Sequence, residues 1–287
     1  MKFLFKGYTL LIILVILSIL SLFIGVSQLS ITDLFHLSDN QKNILFSSRI
    51  PRTISILLSG SSLALAGLVM QQMMQNKFVS PTTAGTMEWA KLGILLSLIF
   101  FPKGHILIKL TFAVALSLGG TFLFVKLINF IKVKEVIFVP LLGIMIGGIV
   151  SSFTTFIALR TNALQSINNW LNGNFAVITS GRYEILYLAI PLLIIAYIFA
   201  NHFTIAGMGK DFSHNLGVKY EQIINIALLI TATLTALVVV TVGTLPFLGL
   251  IVPNIISMYR GDHLKNALPH TLMLGLSLIH ISEPTRR

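Results

Sequence analysis

Long uninterrupted apolar runs constrain this chain more than any other feature. They fall near 8–28, 54–74, 91–101, 106–130, 136–158, 185–203, 223–242 and 245–259, and a ninth begins near 267. A helix needs about 20 apolar residues to cross the hydrocarbon core of a bilayer. A β-barrel is excluded, because its strands alternate about every second residue. The expected fold class is therefore all-α, a polytopic transmembrane helical bundle. Composition agrees: 10% of residues are charged and mean hydropathy is +0.90, whereas a soluble domain carries roughly 25% charged residues. The run at 91–101 is short, so its helix is expected to begin further back, near Thr83. The first run follows Lys2 and Lys6 and is too long for the core of a cleavable signal, so it reads as a retained helix.

The formal net charge of +11 does not point to nucleic acid. The basic residues are spread between apolar runs, which is the pattern of membrane orientation. With a cytoplasmic N-terminus, Lys2, Lys6, Lys77, Lys91, Lys126, Lys132, Lys134, Lys210, Lys219, Arg260 and Lys265 fall inside. Lys42, Arg49, Arg52, Lys103, Lys109, Arg160 and Arg182 fall outside. Much of the outside charge sits in one stretch, 29–53. Small residues recur within the runs: Gly60, Ala64 and Gly67 share one face, as do Gly143 and Gly147, with Gly148 beside them. Such faces let membrane helices approach closely; packing and a pore-lining or sliding face are both open.

Several chemistries are missing. There is no cysteine, hence no disulfide, thiolate site or Cys nucleophile. The string GMGKD at 207–211 lacks the glycine spacing and hydroxyl of a phosphate-binding loop. No H-E-x-x-H or G-x-S-x-G pattern occurs, and the histidines are scattered. Lys109 and Lys126 lie near helix ends, where they can snorkel. Glu88 and Lys91 are placed to pair at a helix start. No acid or histidine stands out at mid-membrane depth, which weighs against an ion-coupled secondary transporter. The acids and histidines do not group as an intramembrane enzyme requires.

Four ordered stretches carry a resemblance. They are RIPRTISILLSGSSLALAGLVMQQMMQNKFVSPTTAGTMEWAKLG at 49–93, NWLNGNFAVITSGRYE at 169–184, GMGKDFSHNLGVKYEQ at 207–222 and VGTLPFLGLIVPNIISMYRGDH at 242–263. Their order and spacing resemble the FecCD family, the permease subunits of ABC importers for iron–siderophore complexes, haem and vitamin B12. The resemblance runs to about Gly275. It implies about ten helices, a second permease subunit in a homo- or heterodimer, two cytoplasmic ATPase subunits and an extracytoplasmic binding protein, in a bacterial plasma membrane. It implies no nucleic acid partner, no catalytic residue and no metal site here, with ATP and Mg²⁺ held by the partner ATPase.

The resemblance also assigns roles. Arg49 and Arg52 match arginines that meet acidic residues of the binding protein, and a planar guanidinium suits a carboxylate. Pro51 between them fits the first turn of a helix. The loop 207–222 matches the element that docks on the ATPase, through Asp211, Ser213, Leu216, Gly217, Val218 and Glu221. It reads as two short helices, Asp211–Ser213 and Lys219–Gln222, joined at Gly217, where only glycine turns freely. The translocation path or its gate is expected at Gly67, Gln71, Gln75, Asn76 and Pro81, and at Pro246, Pro253 and Asn254. Both prolines are expected to break a helix.

Two departures from the broad family pattern narrow the cargo. Leu245-Pro246-Phe247 with Pro253-Asn254, and Asn76-Lys77-Phe78-Val79, resemble the branch that imports catecholate-type siderophores, petrobactin and anguibactin among them. The end of the chain departs further. Leu276 to Arg286, LSLIHISEPTR, resembles the translation of a transposase-end sequencing adapter. One permease domain, 1–275, followed by a non-native tail, 276–287, is expected, with the last one to two helices of the family truncated.

Overall fold

The computed structural model describes residues 7–23, 38–131, 137–175 and 178–282. The first run forms α1, Gly7–Phe23, and its remainder lies outside the described residues. A continuous helical stretch follows: α2, Asp39–Ile44, a π-helical turn, Leu45–Arg49, and α3, Ile50–Met73. Then come α4, Thr86–Phe100, α5, Ile106–Ile131, α6, Phe138–Arg160, and the short α7, Leu164–Leu171. A 3₁₀ stretch, Tyr183–Leu188, leads into α8, Ala189–Ile198, and α9, Ala200–Ala206. The chain closes with α10, Lys210–Asn215, α11, Tyr220–Thr241, α12, Leu248–Arg260, and α13, Leu264–Ser282. The described residues contain helices and connections and no strand.

Among the described residues four helical stretches are long and apolar enough to cross a membrane: Asp39–Met73, Ile106–Ile131, Phe138–Arg160 and Tyr220–Thr241. A fifth is bent by 60° between Tyr183–Ile198 and Ala200–Ala206. α4 and α12 are shorter, at 15 and 13 residues, because backbone with positive φ brackets them: Gly85 before α4, Phe247 and Gly261 around α12.

α3 and α11 form the centre. Their membrane windows are 83% and 78% buried, against 33% for α5 and 28% for α6. α13, α11 and α12 all pack on α3. Inside a bilayer the lipid is as apolar as the side chains, so close backbone approach must supply the attraction. Gly67 of α3 faces the backbone of Gly249 in α12: a Cβ there would lie 1.7 Å from the Gly249 carbonyl oxygen. Gly275 of α13 fits against Gly60 and Ala64 of α3. The small face of α3 is thus used for packing. α11 keeps its buried hydroxyls satisfied by donating back along the helix, Thr231 to Ala227, Thr235 to Thr231 and Thr241 to Leu237, at 2.7–2.9 Å. Bonding along the same helix is the local solution where water is absent.

Pro51 falls in the first turn of α3, as expected, although helical backbone already reaches it from Asp39. Two other boundary expectations need correction. Lys219–Gln222 is not a second short helix; Tyr220 begins the 22-residue α11. Pro246 breaks no helix, because it lies in the connection before α12, where Leu248 N–H donates to its carbonyl at 2.9 Å. α13 runs through Gly275 to Ser282, and residues 283–287 lie outside the described set.

Candidate functional site: a central helix joined to a loop at each end

At one end of α3 stand Arg49 and Arg52. Arg49 closes the π-helical turn and is only 5% exposed in the single chain, while Arg52 is half-buried. Pro51 explains the local geometry. It has no N–H to give to the carbonyls of Phe46 or Ser47, which would otherwise be its helical acceptors. Both are taken by Ser180: its N–H donates to Ser47 O and its hydroxyl to Phe46 O, each at 3.3 Å. The loop before Tyr183 is thereby fastened to the arginine turn.

That loop carries a feature that sequence reading missed. The Arg182 guanidinium stacks over Trp170 of α7 at 4.2 Å from the ring centroid, and Lys109 Nζ sits 5.1 Å from the same ring. Trp170 Nε1 and Arg182 Nη2 both donate to Val240 O, at 2.9 and 3.5 Å. Val240 lies in the last turn of α11, where the helix dipole favours cations. Burial holds the Arg182 pKa below the ordinary guanidinium value. The stretch NWLNGNFAVITSGRYE was recognisable, yet nothing in its spacing places Lys109 against Trp170.

At its other end α3 stops at a C-cap. Gln75 N–H donates to Gln72 O at 3.2 Å and Asn76 N–H to Gln71 O at 3.0 Å. This is the paired closure in which the residue after the cap turns left-handed. Gln75 takes that position with φ 49° although it is not glycine. Beyond it, Ser80 and Thr83 cap each other: Ser80 N–H to Thr83 Oγ1 at 2.8 Å, Thr83 N–H to Ser80 Oγ at 3.2 Å.

The residues expected along the path are largely brought together here. Gln71 Nε2 donates to Leu250 O at 3.3 Å, and Asn254 Nδ2 donates to Leu250 O at 2.8 Å and Lys77 O at 2.9 Å. Lys77 forms an ion pair with Asp262. Pro253, inside α12, leaves Gly249 O without its helical donor, and that carbonyl is the one facing Gly67. Pro81 packs beside Gly249. Gln75 stands apart from this group and borders the 207–222 loop. Pro246 does not join it.

The loop itself is a compact turn. α10 ends on Gly217, φ 72°, with Gly217 N–H to His214 O at 3.0 Å and Val218 N–H to Ser213 O at 2.9 Å, the same closure as at Gln75. Ser213 is buried and its hydroxyl donates to Gly209 O at 2.7 Å. Lys210 and Glu221 pair across the loop at 3.0 Å, and this hydrogen bond raises the Lys210 pKa. Asp211 is exposed, and so are the apolar side chains of Met208, Phe212 and Leu216. The loop touches α3 directly. A Cβ at Gly207 would meet the Gln72 amide at 2.3 Å, and one at Gly209 would lie 3.4 Å from Gln75 Nε2.

An open cleft of about 370 Å³ lies between the 82–83 turn, Glu88 and the face of α6 bearing Gly147, Gly148 and Ser151. Gly143 and Gly147 pack on residues 83–85, while Gly148 has nothing within 4 Å of its Cβ position. The glycine face of α6 thus serves both packing and a cleft wall. Glu88 pairs with Lys91 at 2.6 Å, and its Oε2 is buried without a partner. Among the described residues no three His, Asp or Glu side chains stand close enough to hold a metal ion.

Residues 12–286 match the FecCD transport family. The chain is 55% identical over 264 residues to the petrobactin import system permease protein YclN of Bacillus subtilis, covering 92% of this chain and 84% of that one. It is 36% identical to the ferric-anguibactin transport system permease protein FatD of Vibrio anguillarum, covering 90% and 82%. Among solved structures, an inward-facing conformation of a metal-chelate type ABC transporter superposes with a TM-score of 0.81 at 23% identity, over 97% of this chain and 89% of that one.

Proposed function

The chain belongs to the FecCD transport family, and from that premise we propose that it is the permease subunit of an ATP-driven importer of ferric siderophore. An extracytoplasmic binding protein delivers the chelate, two ATPase subunits drive the cycle, and a second permease subunit completes the path. The relatives named for petrobactin and anguibactin favour a catecholate-type chelate. The chain lies in the plasma membrane with its N-terminus and the 207–222 loop in the cytoplasm. Arg52 then faces the binding protein, with Arg49 buried behind it in the single chain. The chain supplies no catalytic residue and no ligand to iron; the chelate travels as a whole.

One observation carries this reading. The loop 207–222 presents exposed apolar side chains to the outside of the bundle and touches the end of the central helix through Gly207 against Gln72. That end is joined to α12 by Gln71 and Asn254. A push on the loop therefore reaches the α3–α12 contact through packed backbone and amides, without a mobile linker. Asp211, Ser213, Leu216, Gly217, Val218 and Glu221 shape the ATPase-facing turn. Gly67, Gln71, Asn76, Pro81, Pro253 and Asn254 shape the inner gate.

The test is uptake of a ferric catecholate chelate into vesicles holding the assembled importer with its binding protein. Uptake should need internal ATP and the binding protein. Uptake that runs on an ion gradient without ATP would show a secondary transporter instead.

A further inference from the structure

A second cavity, of about 550 Å³, opens at the loop end of the bundle between α5 and α11. The two helices touch deeper down, where the Ser117 hydroxyl donates to Ala232 O at 3.4 Å. Toward the loop end they part. The wall on α5 is the stripe Phe122, Val125, Lys126 and Asn129; the wall on α11 is Glu221, Ile224, Asn225 and Leu228. Each stripe follows the i, i+3, i+4, i+7 spacing of one helix face. Met73, Met74 and Gln75 at the end of α3 close a third side, and Gly209 and Lys210 form part of the lip.

Polarity changes with depth on both walls together. Phe122 and Leu228 line the deepest part. Val125 with Lys126, and Ile224 with Asn225, share a level about one turn nearer the loop end, and Asn129 and Glu221 lie about two turns, roughly 10 Å, from the deepest pair. Glu221 is already neutralised by Lys210. Lys126 has no ion pair among the described residues. The cavity thus offers one uncompensated cation and several amide donors above an apolar slot. Its volume is in the range of ordinary ligand sites.

We propose that this wedge binds one anionic phospholipid, with its phosphate on Lys126 and the amides of Asn129 and Asn225 and an acyl chain between Phe122 and Leu228. The source is a membrane lipid and not a soluble phosphate, because Phe122 and Leu228 leave an apolar slot at the deep end of the cavity. The bound lipid stands between the end of α3 and the lip of the 207–222 loop, so it tunes how firmly those two elements move together. The site itself does not depend on which substrate is carried.

Native mass spectrometry of the assembled importer, exchanged into phosphatidylglycerol or phosphatidylcholine of the same acyl chains, reads the site. Phosphatidylglycerol should be retained about fivefold more strongly, the worth of one lysine near an anionic headgroup. Lys126→Gln should abolish that preference and Lys126→Arg should keep it. Leu228→Trp, which fills the apolar slot, should remove the preferentially retained lipid. Equal retention of the two lipids by the unaltered protein overturns the proposal, as does an unchanged preference in Lys126→Gln or Leu228→Trp. If Lys126→Gln fails to assemble, the contrast between Lys126→Arg and Leu228→Trp decides. Complete displacement by millimolar glycerol phosphate would show a soluble-anion site and refute the lipid.

Discussion

Replacing Gly67 by alanine adds one methyl group, yet the structure leaves it no room. The new Cβ would stand 1.7 Å from Gly249 O, 2.5 Å from Gly249 C and 2.6 Å from Gly249 Cα, all backbone atoms. A carbon and a carbonyl oxygen in contact keep about 3.3 Å, so α3 and α12 must separate locally by about 1.6 Å. The Gln71–Leu250 hydrogen bond, already 3.3 Å long, cannot survive that. Overpacking costs about 1–3 kcal/mol, and a lost hydrogen bond inside a membrane about 0.6 kcal/mol. The better helix propensity of alanine returns up to about 1 kcal/mol. The net loss is then ~2 kcal/mol, or about 4–8 °C in Tm for a chain of this size. Gly148→Ala is the matched control, because nothing lies within 4 Å of its Cβ position and its Tm should not fall. Thermal unfolding of both variants in detergent, followed by intrinsic fluorescence, makes the comparison. If Gly67→Ala unfolds at the same temperature as Gly148→Ala, the backbone contact between α3 and α12 is wrong. Uptake should fall in Gly67→Ala even below its Tm if the displaced contact belongs to the path proposed above.

Gly217→Val meets no atoms but forces a β-branched residue to φ 72°, costing about 1–3 kcal/mol of backbone strain; ATP hydrolysis should continue while uptake per ATP falls, and Gly217→Asn should be milder. Arg52→Glu should abolish binding-protein-dependent uptake while leaving the chain in the membrane, and unchanged uptake would refute the docking role; Arg49→Glu should also lower Tm, because Arg49 is buried. Gln75→Gly relieves a left-handed residue and should raise Tm by the equivalent of about 1 kcal/mol. The Lys210–Glu221 pair raises the lysine pKa, so its contribution is complete below the unfolded lysine value and is lost only as pH rises through the higher folded one. Hydrogen exchange of 210–221, corrected for intrinsic rates, should therefore be flat from about pH 6 to 9 and faster in Glu221→Gln.

The apolar runs and their small-residue faces were legible because membrane packing writes them into local sequence. Gly217 was legible for the same reason: a left-handed turn selects its residue. Gln71 and Asn254, far apart in sequence, could be placed on one path only through the family resemblance, and the structure adds that they share the Leu250 carbonyl. Tertiary context hid the rest. Pro51 reads as a first-turn proline and is one, but nothing local shows the π-helical turn before it or the Ser180 bonds to the Phe46 and Ser47 carbonyls. Lys219–Gln222 looks like a separate helix, because a polar first turn does not reveal the 22-residue helix behind it. The stacking of Arg182 and Lys109 on Trp170 joins three distant segments, which no local pattern encodes.

The helical stretch from Asp39 to Met73 has a mechanical consequence. Its 35 residues make a strut about 52 Å long, longer than the roughly 40–45 Å of a whole bilayer. One end carries the arginine turn and the other abuts the 207–222 loop. A rod of this kind transmits axial load directly, so the two faces of the membrane are in mechanical contact without a chain of switching side chains between them. Its departure from α geometry is the π-helical turn at Leu45–Arg49, a joint held by the Ser180 bonds to the Phe46 and Ser47 carbonyls. Stiffening or softening that joint would change how much of a load on one face reaches the other, independently of every polar contact along the way.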